Sequence, residues 1–205
     1  AAAQGQPPLV VIGYDTRFLS PEFAREAAEV FAADGVRVLL SGAEVPTPAV
    51  AWAVRHHRAV GGVVITASHN PARYNGYKWT PWWGGPATPA VTEDIERRAS
   101  LFSAANVAAM SYDRAAREGW IAVQDFRPGY LKHLSSLLDV KRIKSSGLKV
   151  GVDALHGAAR LYLRPFLEDL GIAVESLHEE RDVLFGGRTT EPSPELLGDL
   201  AAVMK

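Results

Sequence analysis

Cysteine is absent from the 205-residue chain. Its absence excludes a disulfide scaffold, a thiolate zinc site and a cysteine nucleophile. The chain also lacks an excess of either charge, because 22 Lys and Arg residues nearly balance 23 Asp and Glu residues. Without a field of one sign, the composition does not favour binding to nucleic acid or to an anionic membrane. We therefore expect no nucleic-acid partner, and the absence of cysteine fits a cytoplasmic location.

Long apolar segments are missing as well. No apolar run approaches the roughly 20 residues that a membrane helix needs, so we expect no membrane span. The first residues, AAAQGQPPLV, have neither a basic region nor a long apolar stretch, and do not predict a secretory signal. What is present is ordinary for a globular protein, with 47% hydrophobic and 22% charged residues.

Short apolar runs alternate with segments of helical periodicity in the first third of the chain. Strands are predicted at Leu9–Gly13, Val36–Leu40 and Gly61–Thr66. Two helices are predicted between them, with Ser20 and Thr47 as N-caps. The predicted apolar face of the first helix consists of Phe23, Ala27, Val30 and Phe31. The order β-α-β-α-β is typical of a parallel sheet covered by helices on both faces.

The same alternation restarts in the second half of the chain. Strands are predicted at Leu148–Asp153 and Ile172–Leu177, with a helix between them that Pro165 interrupts. Residues 101–125 show no clean period and are interpreted as the end of the first domain plus a connection. The sequence thus predicts two consecutive three-layer α/β/α domains with mostly parallel mixed sheets. They occupy residues 1–125 and 126–205, and the second is incomplete.

Polar residues follow the first and the third predicted strands. GYDTR ends at Arg17, and ASHN contains Ser68 and His69. Because ligands of such sheets bind at the carboxyl ends of the strands, these segments form the predicted site. Ser68 could carry a phosphoryl group there, with Arg17 and Lys78 supplying positive charge. The residues also allow a surface turn, in which Asn75 and its neighbours only shape the chain.

A serine hydrolase is a third interpretation, because His69 directly follows Ser68. Neighbouring side chains of an extended segment point to opposite sides, so this pair is not expected to act together. Ser68 also lacks the G-x-S-x-G turn that exposes the nucleophile of many hydrolases. Both features disfavour a hydrolase.

The segment TASHNPARYNGYK, residues 66–78, resembles the active-site serine loop of the α-D-phosphohexomutases, the family of phosphoglucomutase and phosphomannomutase. It matches the family pattern T-A-S-H-N-P-x-x-x-N-G-x-K at every fixed position. VIGYDTR and VPTPAV are similar to other first-domain segments of the family, and VGVDALHGAAR and GGRTTEPSPELL to segments of its second domain. The likeness runs from about residue 9 to the end of the chain.

This resemblance implies an isomerase that interconverts hexose 1-phosphate and hexose 6-phosphate, of glucose, mannose or both. It implies a phosphoserine at Ser68 and hexose 1,6-bisphosphate as intermediate and activator. His69 and Lys78 would join Ser68 as catalytic residues. Arg17 and Asn70 would bind substrate or phosphate. The implied partner is therefore a sugar phosphate, and neither the sugar nor the oligomeric state is predicted.

Two segments of the family pattern do not occur in this sequence. They are the G-T-x-G-x-R segment and the D-G-D-x-D-R loop, whose aspartates hold Mg²⁺ in the family. The resemblance implies Mg²⁺ as cofactor, bound through the phosphoryl group on Ser68 and through carboxylates expected beyond Lys205. We therefore expect a fragment that is inactive by itself. A non-catalytic sugar-phosphate-binding module is the alternative.

Overall fold

The computed structural model describes residues 6–205, and of Ala104 only the backbone. Its contacts group the chain into two compact units. The first contains residues up to Tyr14, Leu19–Thr66 and Gly76–Phe126, and the second contains Asp15–Phe18, Ala67–Asn75 and Arg127–Lys205. Within residues 6–205, no helix is both long and apolar enough to cross a bilayer. The predicted domain division between residues 125 and 126 stays a prediction.

The first unit is built on a five-stranded sheet with the order β4-β3-β1-β2-β5. The strands are β1 (Leu9–Tyr14), β2 (Arg37–Ser41), β3 (Gly61–Ile65), β4 (Tyr77–Pro81) and β5 (Ile121–Gln124). β1 pairs in parallel with β2 and β3, and β2 with β5, whereas β4 runs antiparallel to β3. The predicted fold class, a mostly parallel mixed sheet, is confirmed.

Helices α1 (Ser20–Ala33) and α2 (Thr47–His56) cover opposite faces of this sheet. Successive residues of a strand point to opposite faces. Accordingly, Val10 and Ile12 of β1 pack with the buried alanines of α1. Gly13 and Gly62 instead face α2, since a Cβ on either would meet Val50 of that helix. Helices α3 (Pro89–Ala99) and α4 (Tyr112–Arg117) complete the unit.

The predicted caps and apolar face of the first helices need correction. Leu19, not Ser20, occupies the N-cap of α1, and Pro46, not Thr47, that of α2. The residues of α1 that the sheet buries are Ser20, Ala24, Ala28 and Ala32, whereas Phe23 is 41% exposed. The smallest side chains face the sheet because they let the helix backbone approach it closely, so the buried face is rotated by one residue from the prediction.

Strands β4 and β5 and helix α4 of the first unit lie where no helix or strand is predicted. β4 has no apolar run, and its residues Tyr77 and Lys78 are exposed. α4 and the short edge strand β5 lie in the segment interpreted as a connection, and β5 leaves Val123 56% exposed. Edge elements bury one face incompletely, so their sequences carry a weak periodic signal.

The second unit contains a parallel pair of strands, β6 (Lys149–Asp153) and β7 (Ala173–Leu177). Val150 and Val174 pack on one face with Phe166, Leu170 and Ile172. The other face is covered by the last helix, because a Cβ on Gly151 would lie 2.9 Å from Leu200 Cδ1. The helices of this unit are α5 (Arg127–Leu137), α6 (Val140–Lys144), α7 (Leu163–Asp169) and α8 (Gly198–Val203).

The predicted helical segment is interrupted, but at Tyr162 and not at Pro165. A short 3₁₀ helix, Ala158–Leu161, precedes α7, and Pro165 lies in the first turn of α7. A first-turn residue has no helical partner for its N–H, so a proline costs little there. The last helix, α8, begins at Gly198.

Candidate functional site

The segment with Ser68 connects β3 to β4 and is called here the serine loop, residues 66–76. The two strands pair with Ile65 opposite Tyr77, and Thr66 N donates to Gly76 O at 2.9 Å. The ends of the loop are therefore closed by backbone hydrogen bonds. Between them, Asn70 N donates to Ala67 O at 3.0 Å, which makes a turn around Ser68.

Ser68 is exposed and has a φ of 57°, in the left-handed region. Such a conformation costs a residue other than glycine about 1–3 kcal/mol, and it persists only where surrounding contacts enforce it. No pattern in the sequence indicates this strain. The left-handed conformation turns Ser68 away from the extended path of β3. It also redirects the side chain of His69.

His69 lies close to Ser68, which corrects one argument from the sequence. The two side chains were expected to point to opposite sides, but Ser68 Oγ lies 3.3 Å from His69 Nδ1. The expectation was wrong because Ser68 is left-handed and not extended. Glu191 Oε2 also lies 3.5 Å from the same Nδ1. A hydrolase triad uses both ring nitrogens, one for each oxygen, so this arrangement is not a triad.

Thr190 joins the serine loop from a later part of the second unit. Its hydroxyl group lies 2.5 Å from His69 O and 3.0 Å from Asn70 O, both of which accept. The Asn70 side chain is exposed. Thr190 and Glu191 were not predicted as individual residues, although the resemblance of GGRTTEPSPELL pointed to their segment.

Arg17 lies in the loop that follows β1, and its side chain is only 1% exposed. Asp15 holds it from one side. Oδ2 of Asp15 accepts from Arg17 Nε at 3.1 Å, and Oδ1 accepts from the backbone N of Arg17 at 3.0 Å. A buried guanidinium group is costly unless its charge and its N–H groups find partners.

The other N–H groups of Arg17 reach backbone carbonyl groups of the serine loop. Nη1 donates to Pro71 O at 3.0 Å and to Tyr74 O at 2.9 Å. Nη2 donates to Ser68 O at 2.8 Å and to Asn70 O at 2.7 Å. Because Nε donates to the carboxylate of Asp15, all five N–H donors of the guanidinium group are engaged. The prediction that Arg17 contacts phosphate stays a prediction, and its observed contacts are with the loop.

A turn around Phe185 completes the surroundings of Arg17. The ring of Phe185 lies 5.2 Å from Arg17 Cζ, in cation–π geometry. Asp182 shapes this turn, because its carboxylate accepts from Leu184 N at 2.8 Å and from Gly186 N at 2.9 Å. These two hydrogen bonds lower the pKa of Asp182 below its usual value.

The sequence does not predict a histidine–carboxylate pair that lies at the ends of β6 and β7. His178 Nδ1 lies 2.9 and 3.1 Å from the carboxylate oxygens of Asp153, whose side chain is 1% exposed. Asp153 also accepts from Leu155 N at 2.9 Å. The partners are far apart in sequence, and no local pattern indicates such a pair. The pair joins the end of β6 to the residue that follows β7, and this contact accounts for its place in the second unit.

Lys78 belongs to the first unit, where it lies on β4 opposite Val64. Its side chain is exposed. Within residues 6–205, no group of three or more His, Asp or Glu side chains is arranged to hold a metal ion. The predicted Mg²⁺ ligands beyond Lys205 stay a prediction.

Comparison with known proteins gives two family matches. Residues 1–103 match the model of phosphoglucomutase/phosphomannomutase, alpha/beta/alpha domain I. Residues 128–205 match the model of alpha/beta/alpha domain II of the same family. The residues between the two matches include β5 and α4, which the sequence pattern also failed to predict.

Individual relatives agree with these matches. A phosphoglucomutase of Komagataeibacter xylinus is 34% identical over 191 residues, which cover 88% of this chain and 34% of the relative. A phosphoglucomutase/phosphomannomutase of Thermococcus kodakarensis is 34% identical, over 97% of this chain and 42% of the relative. A crystal structure from Thermus thermophilus, whose name refers to phosphomannomutase, has a TM-score of 0.84 at 36% identity, over 97% of this chain and 43% of its own. The chain thus spans less than half the length of these relatives.

Proposed function

Because the chain belongs to the phosphoglucomutase/phosphomannomutase family, we propose that it works in the transfer of a phosphoryl group between the 1- and 6-positions of a hexose phosphate. Ser68 is the phosphoryl carrier in this proposal. The observation that carries it is the complete serine-loop motif, with Ser68 exposed at the carboxyl end of β3 and its loop held by Arg17.

The reaction consists of two transfers in opposite directions. In the first, the bond between phosphorus and Ser68 Oγ breaks, and a bond forms to a hydroxyl oxygen of the hexose monophosphate, which loses its proton. The bisphosphorylated sugar then presents its other phosphate, which returns to Ser68 Oγ as the sugar oxygen regains a proton. Such transfers depend mainly on positioning and on neutralising negative charge.

The neighbouring residues have matching chemistry for these steps. His69 lies beside Ser68 Oγ and can donate a hydrogen bond or a proton to the transferring group. Asn70, exposed in the same turn, can bind the phosphoryl oxygens through its amide group. Lys78 is assigned to charge stabilisation by its place in the family motif. Mg²⁺, which takes oxygen ligands, would supply further positive charge to the phosphoryl group.

The first test is the substitution Ser68→Ala in the complete protein. Without Oγ there is no acceptor for the phosphoryl group, so we expect mutase activity to fall to the background level. Ser100→Ala, at an exposed serine whose hydroxyl group donates to Arg97 O at the end of α3, is the control and should keep full activity. Full activity of Ser68→Ala would refute the proposal.

Other functions predict different results in the same protein. A sugar-phosphate-binding module would bind a hexose phosphate equally well with and without Ser68 Oγ, and neither form would turn it over. A serine hydrolase would react with an organophosphonate at Ser68. By itself the 205-residue chain should be nearly inactive, because it does not contain the D-G-D-x-D-R loop, and strong turnover by the purified chain would contradict this.

A further inference from the structure

Arg17 differs from the exposed charged side chains around it, because it is buried and binds mainly backbone. Its guanidinium group spans the carbonyl groups of Ser68, Asn70, Pro71 and Tyr74, all within 3.0 Å. A guanidinium group is planar and presents its five N–H donors in fixed directions. Four carbonyl groups that point at one such plane define a single conformation of the loop.

One of these contacts acts directly on the proposed phosphoryl carrier. Nη2 of Arg17 binds the carbonyl oxygen of Ser68 and thereby restrains the peptide plane that follows it. Ser68 has the left-handed φ of 57°, which needs such restraint. Asp15 in turn fixes Arg17 through both its carboxylate oxygens. The loop after β1 thus sets the backbone conformation of the loop after β3.

Later residues of the second unit reinforce this arrangement. The ring of Phe185 covers the guanidinium group, and Arg181 Nη2 donates to the carbonyl oxygen of Arg17 at 3.2 Å. Thr190 donates to Asn70 O, which Arg17 also binds. A phosphate ion could reach the N–H groups of Arg17 only if the bonds to the loop broke and left carbonyl groups without donors.

We propose that Arg17 is a positioning residue, which holds the serine loop in the conformation that presents Ser68 for phosphoryl transfer, and does not itself bind phosphate. The inference rests on the proposed function for its catalytic consequence, but its structural part can be tested without it. It also replaces the role in phosphate contact that the resemblance suggested for this arginine.

The test is Arg17→Lys in the complete protein, measured by hydrogen exchange and by kinetics. Lysine keeps the charge but has one ammonium group, which cannot satisfy four carbonyl groups in different directions. We expect backbone amides of residues 67–75 to exchange at least about tenfold faster, because they lose hydrogen-bonded restraint, while β1 and β3 keep their protection. kcat should fall about 100-fold, as for a misplaced catalytic group, with little change in KM.

Arg73→Lys is the matched control, because Arg73 is an exposed arginine of the same loop. It should leave both exchange and kcat unchanged. If Arg17→Lys also exposes β1 and β3, the substitution has damaged the protein beyond the loop, and Asp15→Asn replaces it. That variant keeps Arg17 but puts an amide in place of its carboxylate partner, and we expect faster exchange in residues 67–75 and a smaller loss of kcat.

Two results would overturn the inference. One is unchanged exchange in residues 67–75 in both Arg17→Lys and Asp15→Asn. The other is a rise in KM at constant kcat in Arg17→Lys, which would mark Arg17 as a phosphate contact. If the wild-type protein has no mutase activity, the proposed function fails, yet faster exchange in Arg17→Lys would still establish that Arg17 holds the loop.

Discussion

Ser68 combines an exposed hydroxyl group with a backbone conformation that residues other than glycine rarely adopt. The cost of that conformation, about 1–3 kcal/mol, must be offset nearby. Arg17 and Thr190 supply the compensating contacts, on the carbonyl groups of Ser68 and its two successors. The strain thus occurs at the residue whose hydroxyl group the proposed reaction uses.

Asp182 makes the turn around Phe185 sensitive to acid. Two backbone N–H groups lower the pKa of its carboxyl group from the usual value of 3.8. A carboxylate with a lowered folded-state pKa contributes stability that is present above the unfolded pKa and is lost as the pH falls through the folded pKa. We expect Asp182→Asn to lower the thermal midpoint at about pH 7, and the difference from wild type to shrink towards about pH 3.

Glu93→Gln is the control for this prediction, since Glu93 is exposed on α3 in the first unit. It should change the thermal midpoint little at either pH. A deficit of Asp182→Asn that is equally large at both pH values would show that the charge of Asp182 does not stabilise the turn.

The contact between β1 and α2 depends on a glycine. A Cβ on Gly13 would lie 2.4 Å from Val45 Cγ1 and 2.5 Å from Val50 Cγ2. Both valines are fully buried, so they have no space to withdraw. We expect Gly13→Ala to lower the free energy of unfolding by about 1–3 kcal/mol, the usual cost of overpacking a core, as measured by urea denaturation.

Gly198→Ala provides the comparison for this glycine. Among residues 6–205, no atom outside its chain neighbours and the backbone of its own helix lies within 4 Å of the position of its Cβ. Alanine at the start of α8 should leave the stability unchanged or raise it slightly. Equal effects of the two substitutions would contradict the close packing of β1 against α2.

The helices and strands differ in how well the sequence predicts them. β1, β2 and β3 are predicted within one residue at each end, because buried parallel strands are continuous apolar runs. The buried face of α1 is misassigned, since alanine gives a weaker signal than phenylalanine although it packs closer to the sheet. β4 and β5 are missed because edge strands are partly exposed and lack an apolar run.

For the chain as a whole, the sequence predicts the α/β fold and the location of Ser68, but not how its loop is held. The motif at residues 66–78 identifies Ser68, His69 and Lys78, because these residues occur close together in the sequence. The contacts of Arg17 with four carbonyl groups join segments more than fifty residues apart. Every residue has a backbone carbonyl group, so the identity of the side chains does not indicate which of these groups accepts a hydrogen bond. Thr190 is missed for the same reason. Glu191 is missed because its contact with the His69 side chain also joins segments that are far apart in sequence.

The two family matches account for most of the chain, and the relatives extend over more than twice its length. Family membership therefore rests on both units. Catalytic turnover is proposed for the complete protein, in which the expected carboxylates for Mg²⁺ would be present. Ser68 and the residues that hold its backbone are all contained in the second unit.

The central claim is that Ser68 carries the phosphoryl group, and mass spectrometry tests it most directly. The complete protein, purified without added phosphate donor, is digested and its phosphorylated peptide is sequenced before and after incubation with hexose 1-phosphate. We predict one phosphoryl group on Ser68, which passes to the sugar during a single turnover and yields hexose bisphosphate. A protein that catalyses the interconversion while Ser68 never carries phosphate would contradict the account.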